Sequence, residues 1–335
     1  MNLAVSDTPT RRAPGATPVV PEKRGRVGAP VRRVLVVDDE ENLRHMLQLM
    51  LRKEGYDTVG ASNVDSALAE LEAASFDIVL TDLRMPGRNG MELVDEIRRR
   101  RLACTLVVMT AYGSRDVAIE ALKRGAYDYL SKPFDSEELI LLLRKAEERE
   151  RAKAHLQELG INCQRPIIGL NTGAGRRWEL KQWREEGYVE LIEHIAKKHS
   201  AQFLLLGGPE ERERHKRLIA RSRVPLIDAG CDNSVRHFAS LVGECHLVIT
   251  GDTLAMHISL ALNRRTIVLF GPTSAAEIEM YGLGEKVVPR MECLSCYKPK
   301  CDFVPNCMEL ISTEMVESAV ERQWEKLCLE PNGKR

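Results

Sequence analysis

The chain has 335 residues, 49 Lys plus Arg against 49 Asp plus Glu, and a hydrophobic content of 44%. Balanced charge gives no net field toward nucleic acid or membrane. No apolar run reaches the ~18 residues that a membrane span needs, so a water-soluble chain of two or three domains is expected.

Residues 1–32 read as a disordered basic tail. Five prolines (Pro9, Pro14, Pro18, Pro21, Pro30) punctuate it, and through residue 33 seven basic groups face Asp7 and Glu22. Arg11-Arg12 is followed by no apolar core, so a twin-arginine export signal is rejected. The cytosol is the default compartment, where nine cysteines stay reduced.

From about 33 to 145, strand-like runs alternate with amphipathic stretches. RVLVV, TVGA, DIVLTD, TLVVMTA and YDYLSK are each followed by a helical pattern, the last opening at Ser136. Five such units predict a parallel sheet with helices on both faces. Asp38, Asp39, Asp82, Thr110 and Lys132 end four of these runs. Ligand sites in open α/β sheets lie at the carboxyl ends of strands. Three carboxylates, a hydroxyl and an ammonium there suit Mg²⁺ and phosphoryl transfer: Asp82 as acceptor, Asp38 and Asp39 as metal ligands, Thr110 and Lys132 on the phosphoryl oxygens. Singly, an Asp at a strand end or a Lys before Pro is routine; five in order are not.

VLVVDDE, DIVLTDLRMPGRNGMEL, VVMTAYG and YLSKPF resemble the receiver domain of two-component response regulators of the nitrogen-regulation type. The resemblance implies a flavodoxin-like (βα)5 fold with Asp82 phosphorylated by a sensor histidine kinase. It also implies a metal contact from the Arg84 backbone carbonyl, Tyr129 as the switch aromatic, and a cis Lys132–Pro133 bond.

Residues 146–164 continue the last helix as KAEERERAKAHLQEL-type sequence. A charged linker is favoured over a dimerising coiled coil, because three clean heptads are lacking. A second α/β series runs from about 165 to 330: RPIIGLN, AQFLLLGG, VPLID, HLVITG and TIVLFGP as strands, helices between them, then a cysteine-rich loop and a helix from about Thr313. No P-loop and no basic recognition helix are present, so specific DNA binding is not expected.

Glycines in GLNTGAG allow close approach of backbone amides to phosphate, although a plain turn reads equally well. Asp252 and Thr253 stand at a helix start that favours a diphosphate, with helix capping as the simpler role of Asp252. His257 follows one turn on, where a core histidine is the alternative. In order, GLNTGAGRRWELKQW, LLLGGPEE, GDTLAMH, IVLFGPTS and the late cysteine loop resemble glycosyltransferase family 9, the lipopolysaccharide heptosyltransferases. The resemblance covers the C-terminal, donor-binding half of a two-lobed GT-B enzyme, a Rossmann-like fold. It implies a nucleotide-diphosphate sugar held by Lys181, Glu210, Asp252, Thr253 and His257. Leu254 and Ala255 stand where the family pattern has Gly-Pro.

The receiver stands where the family's acceptor half, with its catalytic base, is expected, so catalysis is expected to need another polypeptide; the expected partners are an acceptor-half glycosyltransferase or a second copy in a homodimer. Three outputs follow: a phosphorelay regulator with a sugar-nucleotide-binding domain, an active cell-envelope glycosyltransferase completed in trans, or a non-catalytic fusion acting through protein contacts. Cys293, Cys296, Cys301 and Cys307 are spaced either for structural Zn²⁺ or for a loop without metal.

Overall fold

A computed structural model describes residues 32–111, 115–298 and 300–329. The tail lies outside them except for Arg32, whose guanidinium meets Asp77 at 2.8 Å. The chain divides into two compact units, Met1–Phe134 and Asp135–Arg335.

The first unit alternates β1 (Arg33–Val37), α1 (Glu41–Lys53), β2 (Asp57–Ala61), α2 (Val64–Ala73), β3 (Ile78–Asp82), α3 (Gly90–Arg99), β4 (Thr105–Ala111), α4 (Arg115–Arg124) and β5 (Asp128–Lys132). All five strands are parallel, in the order β2-β1-β3-β4-β5. This is the flavodoxin-like order, whose switch point lies between β1 and β3. Val34, Leu35, Val36 and Val37 are all fully buried. Successive strand residues point to opposite faces, so β1 is covered on both, as its unbroken apolar run requires. Asn63 and Asn89 cap α2 and α3 in reciprocal capping boxes with Ser66 and Glu92.

The second unit opens with α5 (Ser136–Glu158), capped by Asp135 through the Glu138 amide at 2.7 Å. There follow β6 (Ile167–Asn171), α6 (Glu185–Lys198), β7 (Gln202–Leu206), α7 (Arg212–Arg221), β8 (Leu226–Asp228), α8 (Val235–Glu244) and β9 (Leu247–Gly251). Next come α9 (Leu254–Ala261), β10 (Arg265–Leu269), β11 (Gly284–Val287) and α10 (Thr313–Leu329). The parallel order β8-β7-β6-β9-β10-β11 is the 3-2-1-4-5-6 arrangement of Rossmann folds, with its switch point between β6 and β9. Sequence reading missed β11. It pairs on one side only, with β10, and its GEKV sequence carries the charges of an edge strand.

The 146–164 stretch is more than a solvated connector. Ala152 and Leu156 are fully buried in a cluster with Ile161, Ile167, Leu204, Leu241 and Val242. Across α5 and α8, Arg149 pairs with Glu244 at 2.8 Å, and His155 Nδ1 lies 3.1 Å from His237 Nε2. An Ala and a Leu four residues apart make a stripe too thin to stand out among seven charges. Leu156→Ala is expected to cost the second unit about 2–5 kcal/mol, read by urea unfolding. The exposed neighbour Gln157→Ala is expected to stay within ~0.5 kcal/mol. Equal midpoints for the two variants would restore the plain linker.

Burial lowers the His237 pKa below its ordinary 6.5; Arg151 and His155 lower it further, against the raising effect of Glu148. The imidazole is therefore held neutral in the fold, and as pH falls below about 6.5 the unfolded chain takes up the proton first. Stability is thus full above that pH and declines below it. The second unit's unfolding midpoint is expected to fall between pH 7.5 and 5.5, and to fall less in His237→Gln. An identical pH slope in that variant would remove His237 from the account.

Candidate functional site

Four strand ends of the first sheet build one acidic pocket. Asp38 follows β1, Asp82 closes β3, Thr110 is the penultimate residue of β4 and Lys132 closes β5. Asp38 is fully buried, Asp82 and Thr110 nearly so, and Asp39 is exposed. Lys132 Nζ donates to Asp38 Oδ2 at 2.8 Å and to Asp82 Oδ2 at 2.5 Å. Burial acts to lower the Lys132 pKa, but the hydrogen bonds and charges of Asp38 and Asp82 prevail and raise it above its ordinary value. The ammonium therefore stays charged at neutral pH.

The remaining carboxylate oxygens are oriented by backbone. Glu40 N donates to Asp38 Oδ1, and Arg84 N to Asp82 Oδ1, each at 2.9 Å. Arg84 thus enters the pocket through its amide. Gly90 opens α3 directly beneath β3: a Cβ there would lie 2.1 Å from the Asp82 carbonyl oxygen, so this position tolerates no side chain. Tyr129 on β5 is half-buried and packs against the core cluster that contains Leu106 and Val108. Lys132–Pro133 is cis.

One oxygen each from Asp38, Asp39 and Asp82 lies within 4.8 Å of the others. Such an all-oxygen set suits Mg²⁺, a hard cation that binds through a few carboxylate oxygens and keeps several waters.

The second sheet builds another site at its own switch point. Lys181 Nζ donates to Asp252 Oδ2 at 2.9 Å and to the Asp252 carbonyl at 3.2 Å, and lies 5.2 Å from the Trp178 ring centroid. Thr253 is the residue before α9, but its hydroxyl does not cap the helix. It turns instead to Thr250 at 3.0 Å and accepts from Asn171 Nδ2 at 3.2 Å. The first-turn amides of α9 thereby receive no side-chain cap, which is the condition for anion binding at a helix start. Asp252 is not the cap either. His257 is exposed on α9, and so is Leu254, the first residue of that helix.

Two glutamates flank the glycine turn after β6. Glu211 is buried and accepts from Gly208 N at 2.8 Å; a Cβ on Gly173 would stand 2.0 Å from its Oε1. Glu210 is exposed, and its Oε2 lies 3.9 Å from the Cβ position of Gly175, whose φ is +68°. The turn is thus held open by glycine on both sides. Thr172 Oγ1 in this turn and Thr273 Oγ1 in the loop after β10 are buried without a hydrogen-bond partner. Buried hydroxyls without partners are costly unless something else supplies the bond. Asn171, Thr172, Thr250 and Glu211 were not singled out by sequence; the strand order brings them together, Asn171 Nδ2 donating to Thr250 Oγ1 at 3.1 Å and Glu211 standing against Gly173.

Cys293, Cys296 and Cys301 are partly exposed and Cys307 is buried. Among the described residues, no three of these thiols gather within ligand reach of one another. The spacing reading as a Zn²⁺ site therefore gains no support from the geometry. The loop instead packs by its apolar groups, with Cys307 and Met308 against Gly271.

The family model of the response regulator receiver domain matches residues 34–144, and that of glycosyltransferase family 9 (heptosyltransferase) matches residues 126–305. Among curated proteins, the chain is similar to regulatory protein AtoC of Escherichia coli strain K12. Identity is 37% over 129 residues, 38% of this chain and 28% of that protein. It is similar to response regulator protein PilR of Pseudomonas aeruginosa at 42% over 147 residues, 43% of this chain and 33% of that one. Nitrogen assimilation regulatory protein NtrX of Azorhizobium caulinodans matches at 34% over 153 residues, 45% and 33% of the two chains. The chain spans no more than 33% of the length of these relatives. Among solved structures, a response regulator receiver domain protein from Clostridium thermocellum is 30% identical, with a TM-score of 0.35, covering 36% of this chain and 98% of that one. No described helix is long and apolar enough to cross a membrane. With its strand order and glycine turn in place and the family model spanning residues 126–305, the chain belongs to glycosyltransferase family 9, and it carries a response regulator receiver domain ahead of that part.

Proposed function

We propose that this protein is a phosphorelay response regulator whose output is a nucleotide-sugar-binding, glycosyltransferase-like domain. The receiver occupies 33–145, residues 146–164 join it to the output and pack on it through Ala152 and Leu156, and the output occupies 165–330. The observation that carries the first half is Lys132 bridging Asp38 and Asp82 at the sheet's switch point. Asp82 would accept a phosphoryl group from a histidine kinase: a carboxylate oxygen attacks phosphorus, the donor's bond to phosphorus breaks, and an acyl phosphate forms. Asp38, Asp39, Asp82 and the Arg84 carbonyl would hold Mg²⁺, which supplies charge neutralisation at the transferring group. Lys132 moves its bond from the Asp82 carboxylate to a phosphoryl oxygen, and Thr110 donates to another. Thr110 and Tyr129 sit on neighbouring strands, where a change at Asp82 is passed to the α4 side of the sheet.

The second half rests on the uncapped start of α9 facing Lys181, Asp252 and the glycine turn. Lys181 and the helix amides would bind the diphosphate, with Asp252, Thr253 and His257 toward the sugar and Glu210 toward the ribose. Transfer itself would need an acceptor half from another chain. Incubating the protein with acetyl phosphate and Mg²⁺ tests the receiver; absence of a phosphate-sized mass gain would refute it. Calorimetry against UDP-, GDP- and ADP-linked sugars tests the output. Silence across this panel from a folded protein would refute donor binding.

A further inference from the structure

The second unit also holds a buried cluster that neither site uses. His215 on α7, Asp228 at the end of β8 and Cys231 three residues later converge from separate segments. His215 Nδ1 lies 2.9 Å from Asp228 Oδ1, and Cys231 Sγ lies 3.6 Å from the same nitrogen. One donor atom from each residue fits within 4.8 Å of the other two. His215 is fully buried and Cys231 is 3% exposed. The second ring nitrogen, His215 Nε2, is buried and has no hydrogen-bond partner.

The arrangement is not that of a nucleophile. A cysteine activated by a His–Asp pair addresses one ring nitrogen while the acid orients the other. Here thiol and carboxylate meet the same nitrogen. A purely structural His–Asp contact, in turn, calls for no thiol within reach of the same nitrogen, yet Cys231 Sγ lies 3.6 Å from it. Nitrogen, sulfur and carboxylate oxygen donors converging at this spacing are the donor set of a borderline-soft divalent cation. The surrounding charge agrees: Glu211, Asp228 and Asp232 face one cation, Arg212, which is already paired with Asp232 at 2.5 Å.

We propose that His215, Asp228 and Cys231 bind a zinc-like divalent cation, with water completing the shell. The site is separate from the carboxylate pocket around Asp82. Bound there, the ion would tie α7 and the turn at 229–233 to the end of β8. The His215 ring lies against Gly207, its Cε1 3.1 Å from the Cβ position there, with Glu211 on the same glycine, so the ion would stiffen one wall of the glycine-turn site.

The test uses the full chain stripped with chelator. One equivalent of Zn²⁺ examined by X-ray absorption on the wild type is expected to show a single sulfur in a nitrogen and oxygen shell. Co²⁺ is expected to give a thiolate charge-transfer band that Cys231→Ser removes and the double variant Cys293→Ser, Cys296→Ser keeps. Cys231→Ser is also expected to weaken Zn²⁺ binding at least tenfold. A shell of three or four sulfurs, a band that survives Cys231→Ser, or no uptake of the first equivalent would each overturn the proposal. The wild-type absorption measurement stands even if the variant folds poorly.

Discussion

Asp82→Asn is expected to reduce labelling by acetyl phosphate and Mg²⁺ to background, while the wild type gains one phosphoryl group per chain. The amide keeps the shape of the carboxylate but loses the anionic oxygen that attacks phosphorus. The pocket itself should survive, because Lys132 retains Asp38 as a partner at 2.8 Å. Lys132→Met is expected to act differently. It leaves the acceptor in place but removes the ammonium that bridges Asp38 and Asp82, the first of them fully buried. Breaking such a pair costs about 3–5 kcal/mol, so this variant should be both slower to label and less stable. Mass spectrometry of the intact chain and a thermal melt separate the two cases. Undiminished labelling of Asp82→Asn would place the acceptor elsewhere.

The receiver pocket was legible chiefly because its two buried carboxylates stand at the ends of buried, largely apolar strands. β1 and β3 are buried on both faces, so their polar ends stand out: Asp38 after VLVV, Asp82 after IVLT. Parallel register then brings those ends level, Val37 beside Thr81 and Asp82 beside Met109. The second site was less legible. Asn171 and Thr250 lie within buried strands and read as ordinary strand residues. Which of two adjacent glutamates turns inward is decided by the single turn Pro209–Glu211, and the one that turns in is Glu211. The cap of α9 shows the same limit. Sequence places Asp252 and Thr253 at a helix start, but only the bond from Asn171 shows that Thr253 faces away from the helix amides. His215, Asp228 and Cys231 share no motif at all, since their proximity depends on α7 packing beside β8.

Lys181→Ala is expected to weaken binding of a nucleotide-diphosphate sugar by about 10–100-fold, the range for losing a hydrogen bond to a charged group. Lys181 is largely buried and held by Asp252 through both its carboxylate and its carbonyl, so the ammonium is already positioned before a ligand arrives. The same contact makes Asp252 a competitor: a diphosphate must share or displace that carboxylate to reach Lys181. Asp252→Asn therefore separates two effects. A free nucleoside diphosphate should bind no worse, because Lys181 is released toward it, whereas the sugar-linked form should bind worse through loss of the acceptor for sugar hydroxyls. Raising the salt concentration should erode the Lys181 contribution only modestly, since a site this buried is poorly screened. Calorimetry with the free and sugar-linked forms of one nucleotide reads both effects. Equal losses for the two ligands in Asp252→Asn would mean that the carboxylate serves only to hold Lys181 in place. Unchanged affinity in Lys181→Ala would remove the diphosphate from this switch point altogether.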